Sequence, residues 1–327
     1  MLITHTLTVH VDLRKIAIVT AILDRSPNHK TVSRFVRTAL ARAGEPLSIN
    51  TLASKLIHSS SINNQPWLIQ KVETLAREGN SWKAMVLYGM ILLEKGQPDE
   101  AANWYQSAMN AVKPIETPSS LQTILNAVAL VKSPFEAYAE LKLKLEQVDE
   151  ARKAAEVGVS QYNNSGCHKL LASILSSNNQ DHDKAEGHLM KSAMSRDPNA
   201  CHVLGQIYRL KHLGLKQAEN DPFYQVLFAS RKISPGLILD RSPYISTAEY
   251  YRMAKEWLEL AAYEGVAMAS LQMAILLRQE NKLQDGLAYL DRVGDDSKYT
   301  QVVANLREIW TTPDADTSSI LLASHQL

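Results

Sequence analysis

The feature that most constrains this chain is a small side chain that recurs at the start of successive amphipathic segments. It falls at positions 101, 151, 185, 254 and 286, at intervals of 50, 34, 69 and 32 residues. Two of these intervals lie close to the roughly 34 residues that one pair of antiparallel helices and its turns occupies. A small residue lets two helices approach closely, so the spacing predicts an all-α tandem array of helical hairpins.

Residues 81–112 illustrate the repeating unit. Gly96 can end a first helix, and Pro98 can begin a second helix at its first turn. On the first helix the small Gly89 lets the two helices approach closely. On the second, the small Ala101 and Ala108 around the large Tyr105 let the pair interlock. The same pattern across the copies predicts these structural repeat positions: Gly89, Ala101, Tyr105, Ala108, Ala151, Ala185, Gly205, Tyr208, Ala254, Ala261 and Ala274.

The two long intervals predict extra segments within the array. The interval of 50 contains an apolar stretch near residues 121–131 that is bracketed by prolines and is expected to form a short helix. The interval of 69 places a first helix over residues 200–211 and its partner from about Thr247 onward, which leaves an insertion at about residues 215–246. A connection of this length in a compact array is either functional or partly helical.

Two stretches carry a family resemblance. Residues 254–265, AKEWLELAAYEG, have the alanine-rich second helix with its aromatic centre, and residues 200–208, ACHVLGQIY, have the Leu-Gly-x-x-Tyr core of a following first helix. The chain resembles the Sel-one-like branch of the tetratricopeptide superfamily over about residues 81–310. The resemblance implies a right-handed superhelical α-solenoid whose concave face is lined by first helices and holds a peptide or helix of a partner protein. It also implies a non-enzymatic adaptor or scaffold.

The expected organisation has three parts. Residues 1–65 form an N-terminal segment that contains a candidate targeting helix and a helical cap. Residues 66–310 form the repeat array, and residues 311–327 form a polar, flexible tail.

Composition and motifs exclude several classes of function. The chain has 35 Lys and Arg against 34 Asp and Glu, a balance that disfavours general binding to nucleic-acid phosphates. The longest early apolar stretch, residues 16–23, is far shorter than the roughly 20 residues of a membrane span. The sequence contains none of the phosphate-loop, zinc-protease or serine-hydrolase motifs, so no catalytic residue, cofactor or small-molecule substrate is predicted.

The cysteines and histidines invite a chemical interpretation that the repeat disfavours. Cys167 and Cys201 are each followed by a histidine and lie one repeat apart, too far for zinc ligands, so no metal site is predicted. His182, Asp183 and His188 could do acid–base work, but no nucleophile motif accompanies them. An aspartate at position 181 or 183 is instead expected to cap a helix N-terminus.

Residues 30–43, KTVSRFVRTALARA, contain no acidic residue. A helix here gathers Val32, Phe35, Val36, Ala39, Leu40 and Ala43 on one face, with Lys30, Arg34, Arg37 and Arg42 over much of the rest. Two interpretations stay open. One is a first repeat helix with a solvated basic face. The other is a mitochondrial import helix, placed about 30 residues later than usual.

The import interpretation suggests a mitochondrial location and a role in assembling a mitochondrial complex, with the cytoplasm as the alternative location. The basic helix also motivates an alternative function as an organelle RNA-associated repeat factor.

Aromatic and basic residues outside the repeat pattern are the candidate partner-binding positions. Such residues are enriched at protein interfaces. The set comprises Trp257, Phe223, Tyr224, Phe228, Arg231, Lys232, Arg241 and Tyr244. The alternative is that Phe223 and Phe228 fill the gap that the insertion leaves between the two helices.

Overall fold

The computed structural model describes residues 12–24, 27–112, 131–177, 181–214, 241–293 and 299–312. Within these ranges all regular secondary structure is helical, comprising fifteen α-helices and two short 3-10 turns, Pro27–His29 and Ile62–Asn64. The predicted all-α fold is confirmed. No helix in the described ranges is long and apolar enough to cross a bilayer.

The helices follow one another with short connections. They are α1 (Leu13–Leu23), α2 (Lys30–Arg42), α3 (Pro46–His58), α4 (Pro66–Arg77), α5 (Trp82–Glu94), α6 (Pro98–Ala111), α7 (Pro134–Lys144), α8 (Val148–Tyr162), α9 (Ser165–Ser177), α10 (His182–Met194), α11 (Pro198–Leu213), α12 (Thr247–Tyr263), α13 (Ala267–Gln279), α14 (Leu283–Val293) and α15 (Thr300–Glu308). The chain divides into two compact units, residues 1–157 (unit 1) and 158–327 (unit 2).

Local signals set the helix ends. Pro98 stands at the start of α6, and Gly96 has a φ of +76°, a left-handed conformation that ends the preceding helix α5. Ser246 and Glu249 form a reciprocal capping box that starts α12 directly after the predicted insertion. Asp181 caps α10 by accepting a hydrogen bond of 3.1 Å from the backbone N–H of Lys184. Each cap satisfies backbone groups that a helix end leaves unpaired.

Consecutive helices pack as hairpins within each unit. In unit 1, α5 packs on α6, where Gly89 lies against the ring of Tyr105. In unit 2, α9 packs on α10, α11 on α12 and α13 on α14. At the α11–α12 contact a Cβ on Gly205 would lie 2.6 Å from Leu258 Cγ. The predicted stacking of helical hairpins is confirmed, and small residues are the points of closest approach.

All of the predicted repeat positions are buried. They are Gly89, Ala101, Tyr105, Ala108, Ala151, Ala185, Gly205, Tyr208, Ala254, Ala261 and Ala274. Helix α11 spans the segment expected to be the first helix of the interrupted hairpin, and α12 begins at Thr247, the residue expected to begin its partner. Residues 215–240, between them, and the stretch at 121–130 lie outside the described residues.

The predicted orientation of α2 is wrong. Arg37, expected on a solvated basic face, is 4% exposed, whereas Phe35 of the expected apolar face is 76% exposed. The reason is a partly buried ionic cluster centred on Asp24. The Arg37 Nη2–Asp24 Oδ2 distance is 3.0 Å, Lys55 of α3 pairs with the same oxygen, and Ser33 donates to Asp24 Oδ1 at 2.9 Å.

Asp24 is ionised in this cluster. Burial would raise the pKa of its carboxyl, but hydrogen bonds from Lys55, Arg37 and Ser33 outweigh that effect and bring the pKa to about 2. The cluster joins α1, α2 and α3, and it fixes which side of α2 faces the core of unit 1.

Candidate functional site

The predicted partner-binding residues fall into two groups. Five lie outside the described residues: Phe223, Tyr224, Phe228, Arg231 and Lys232. The structure describes the other three, Arg241, Tyr244 and Trp257.

The three described residues have different surroundings. Arg241 Nη2 donates to the carbonyl oxygens of Lys211 and His212, the latter at 3.1 Å, and so closes the C-terminus of α11. Trp257 is partly buried and packs on the core of unit 2. Tyr244 is 92% exposed. Arg241 and Trp257 thus have structural contacts, and of these three residues Tyr244 is the most accessible to a partner.

A groove lies between α9 and α11 in unit 2. It encloses a cavity of about 370 Å³. We call it the α9–α11 groove, and its lining residues are Lys169, Leu170, Ala172, Ser173, Ser176, Leu189, Asn199, His202 and Val203. Both α9 and α11 are first helices of their hairpins.

Polar contacts connect three successive first helices at this groove. Lys169 Nζ of α9 lies 3.0 Å from Asp197 Oδ2, and Asp197 also caps α11 by accepting from the backbone N–H of Asn199 at 2.9 Å. Further along α11, His202 Nε2 lies 3.1 Å from Gln272 Oε1 of α13. These contacts hold the first helices in register and orient the polar edge of the groove.

The lining combines an apolar floor with a polar edge. Leu170, Ala172 and Leu189 are buried, while Ser173, Asn199 and His202 are partly or fully accessible. The charge of Lys169 is matched by Asp197. A small apolar cavity with neutral hydrogen-bonding groups at its edge suits one or two side chains and the backbone of a polypeptide.

A pair of histidines lies inside the α9–α10 hairpin. The Nδ1 atoms of His168 and His188 are 2.8 Å apart, and His168 Nε2 lies 3.3 Å from Asn163 Oδ1. One Nδ1 must donate and the other accept, so the accepting ring is neutral when this hydrogen bond forms. Burial, His188 and Lys191 lower the pKa of His168 to about 4. The folded hairpin therefore favours the neutral form of His168.

The two cysteines are buried in the fold. Cys167 and Cys201 are not joined in a disulfide, and burial raises the pKa of the Cys201 thiol to about 11. Within the described ranges, no three His, Cys, Asp or Glu side chains converge in a way that could hold a metal ion. Asp181, next to the His182 and Asp183 considered for acid–base work, caps α10.

Sequence inspection did not single out the groove residues. Lys169, Ser173 and Ser176 are spaced for one face of α9, and Asn199, His202 and Val203 are spaced for one face of α11. Each is an ordinary polar or small residue of a helix surface. The signal that could have found them is their shared position on first helices, beside the buried Ala172 and Ala200 of the repeat core.

This packing defines the chain as a tandem helical-hairpin repeat protein. No protein-family model and no curated protein matches it. Among solved structures, it is similar to the C-terminal part of a TPR repeat-containing protein from Cytophaga hutchinsonii, with 16% identity, 85% of this chain and 93% of that chain covered, and a TM-score of 0.37. It is also similar to a Sel1 repeat protein from Oxalobacter formigenes, with 12% identity, 95% and 89% covered, and a TM-score of 0.36.

Both of these structures are repeat proteins of the kind that the sequence resembles.

Proposed function

We propose that this protein is a non-enzymatic adaptor that holds a segment of a partner protein in the α9–α11 groove. The observation that carries the proposal is the pairing of an apolar floor with a neutral polar edge across successive first helices. A polypeptide segment can place a side chain against Leu170 and Leu189 while its backbone hydrogen-bonds to Asn199 or His202.

The charge of the groove favours a protein over a nucleic acid. Lys169 is the cation among the lining residues, and Asp197 lies 3.0 Å from it. An RNA-binding surface gathers several cations that neutralise phosphates, and its affinity falls steeply with added salt. The alternative of an organelle RNA-associated factor therefore draws no support from this groove.

A pair of substitutions tests the proposal. Ser173→Arg places a long side chain in the cavity, whereas Met194→Arg changes a side chain of α10 that is 74% exposed. Proximity labelling in cells with the wild-type protein and both variants would identify the partners. We expect Ser173→Arg to lose partners that Met194→Arg retains, and purified forms of those partners to bind the wild-type protein directly.

Two outcomes would contradict the proposal. If all three proteins label the same set, or if no purified candidate binds, the groove is not the partner site. Circular dichroism of the two variants checks that each has kept its helical fold.

The proposal includes a mitochondrial location, with the cytoplasm as the alternative. It is supported by the acid-free basic helix within residues 30–43. Fusion of residues 1–60 to a fluorescent protein tests it, because a diffuse signal would contradict import and favour the cytoplasm. A mitochondrial signal would make the assembly of a mitochondrial complex the role to examine next.

A further inference from the structure

The first two helices of unit 1 expose an unusual number of apolar side chains. The exposed set is Leu13, Val19, Ile22 and Leu23 of α1 with Val32 and Phe35 of α2. We call these residues the α1–α2 apolar set. Val19 and Ile22 are 55% and 52% exposed, and Val32 and Phe35 are 60% and 76% exposed. Scattered single residues of this kind need no explanation, whereas half of the large apolar side chains exposed in the described ranges lie on these two helices.

The orientation of α2 explains why its apolar residues are exposed. Its buried side is formed by Ser33, Arg37, Leu40 and Ala41, and Arg37 and Ser33 are held there by Asp24. Val32, Phe35 and Ala39 follow helical spacing on another side of the same helix. Helix α2 therefore has one side engaged in the core of unit 1 and a second, apolar side that faces outward.

Exposed positive charge lies on α2 next to this apolar side. Residues 12–44 contain seven Lys and Arg but two acids, Asp12 and Asp24, although the whole chain carries a net charge of +1. Both acids are already engaged, since Asp12 caps α1 and Asp24 pairs with Arg37 and Lys55. Lys30 and Arg34 are exposed on α2, and within the described part of the chain no carboxylate pairs with either. The surface is therefore both apolar and cationic.

We propose that α1 and α2 bind the surface of an anionic lipid bilayer, with Phe35 and Val32 entering the interface and Lys30 and Arg34 contacting lipid headgroups. Interfacial helices combine an apolar side that enters the headgroup region with flanking Lys and Arg that attract anionic lipids. This binding is peripheral, and it is separate from the partner site proposed for the α9–α11 groove.

The shape of the surface favours a bilayer over an acidic protein segment. A helical or extended peptide needs a groove that covers it on two sides. With Phe35 76% exposed and Val32 60% exposed, these side chains protrude from α2 and do not line a groove. A protruding row of apolar side chains can enter a fluid interface, which adapts its shape to the helix.

Vesicle sedimentation with the full-length protein tests the proposal. One set of vesicles contains phosphatidylcholine alone, and the other contains phosphatidylcholine and phosphatidylserine at roughly seven to three. We expect binding to the second set that weakens with added salt, because exposed charges are screened. Arg34→Glu should weaken it roughly 30-fold, since the change alters two units of charge at the surface. Phe35→Ser should weaken it roughly tenfold or more.

Two matched controls separate these effects from general changes in charge or hydrophobicity. Lys71→Glu reverses an exposed charge on α4 of the same unit, and Met194→Ser removes an exposed apolar side chain of α10. Both should bind like the wild-type protein. Phe35→Trp should keep the binding and show a blue shift of its fluorescence on anionic vesicles, which reports entry of the ring into the interface.

The proposal is wrong if the wild-type protein does not bind the anionic vesicles. That result is expected if an acidic protein segment or the chain itself covers this surface. Equal binding to both vesicle types, or equal losses in the control variants and in Arg34→Glu, overturns it as well. The circular dichroism spectrum of each variant should match that of the wild-type protein, since every substituted side chain is exposed.

Discussion

Gly205 of α11 lies directly against Leu258 of α12. A Cβ at position 205 would lie 2.6 Å from Leu258 Cγ and 3.1 Å from the backbone nitrogen of the same residue. Neither a rotamer change nor a small tilt of the leucine removes the contact with the backbone. The absence of a side chain at position 205 is therefore what allows the two helices to pack.

We expect Gly205→Ala to lower the free energy of unfolding by about 1–3 kcal/mol, as overpacking does elsewhere. Gly187→Ala is the matched control. Gly187 also lies in a helix, but nothing stands within 4 Å of the place its Cβ would take. Alanine there should stabilise the protein by about 0.5–1 kcal/mol, because it has the higher helix propensity. Urea unfolding followed by circular dichroism measures both, and equal effects would contradict the packing argument.

The His168–His188 pair predicts a loss of stability in mild acid. The pKa of His168 is about 4 in the folded protein, below its ordinary value of 6.5, because of burial, His188 and Lys191. Between these two values the unfolded chain binds more protons, so stability is full above about pH 6.5 and falls as the pH drops toward 4. We expect a loss of about 2 kcal/mol between pH 7.5 and pH 5.

The variant His168→Gln isolates this contribution. It is expected to start from a lower stability at pH 7.5, because the hydrogen bond to His188 is lost, and to change less between pH 7.5 and pH 5. Urea midpoints at the two pH values provide the comparison. If the wild-type protein and the variant lose the same free energy of unfolding, other groups control the acid response.

The cluster around Asp24 predicts that Arg37 and Arg34 of α2 contribute very differently to the free energy of unfolding. Arg37→Met removes one of two cations from a carboxylate that is 21% exposed, and we expect a loss of about 2–3 kcal/mol, because Lys55 still pairs with Asp24. Arg34→Met, on the exposed side of α2, should change stability by about 0.5 kcal/mol or less. Thermal unfolding of the two variants tests this. Similar losses of stability would support the sequence prediction, in which both arginines lie on a solvated face of α2.

The contacts of Trp310 predict that the stability of unit 2 depends on residues that follow the end of α15. The indole is 2% exposed, donates from Nε1 to the carbonyl oxygen of Leu283 at 3.1 Å, and lies against Gly286 of α14. Trp310→Ala should therefore cost about 3–5 kcal/mol. Tyr263→Ala removes an aromatic ring that is 78% exposed and should cost about 0.5 kcal/mol or less. Comparable unfolding midpoints for these two variants would contradict the expected role of Trp310.

The contrast between Gly205 and Arg37 explains which parts of the fold could be predicted from sequence. Close helix contacts in a repeat need small residues at fixed offsets, so Gly205 and Ala254 reveal the hairpins without any knowledge of distant partners. The orientation of α2 depends on Asp24 and Lys55, which have no fixed spacing from Arg37. Amphipathicity alone predicts that the more apolar side of α2 faces the core, because arginine side chains usually stay in water.

The α9–α11 groove cannot be predicted from the sequence for a similar reason. Ser173 and His202 are common residues on helix surfaces, and they become part of one cavity because α9 and α11 lie side by side. The His168–His188 contact likewise requires the pairing of two helices. Repeat spacing predicts that helices pair, but it does not predict which polar side chains meet.

The way α11 and α12 are joined also suggests a use for the molecule in protein engineering. The guanidinium of Arg241 is anchored on the carbonyl of His212, and Gly214 lies beside it, so the two ends of the intervening stretch are held next to each other by residues outside it. The Gly205–Leu258 contact secures the same helices independently of that stretch. A foreign peptide or a small reporter domain could be grafted between Gly214 and Arg241, with the scaffold acting as a fixed mount for it.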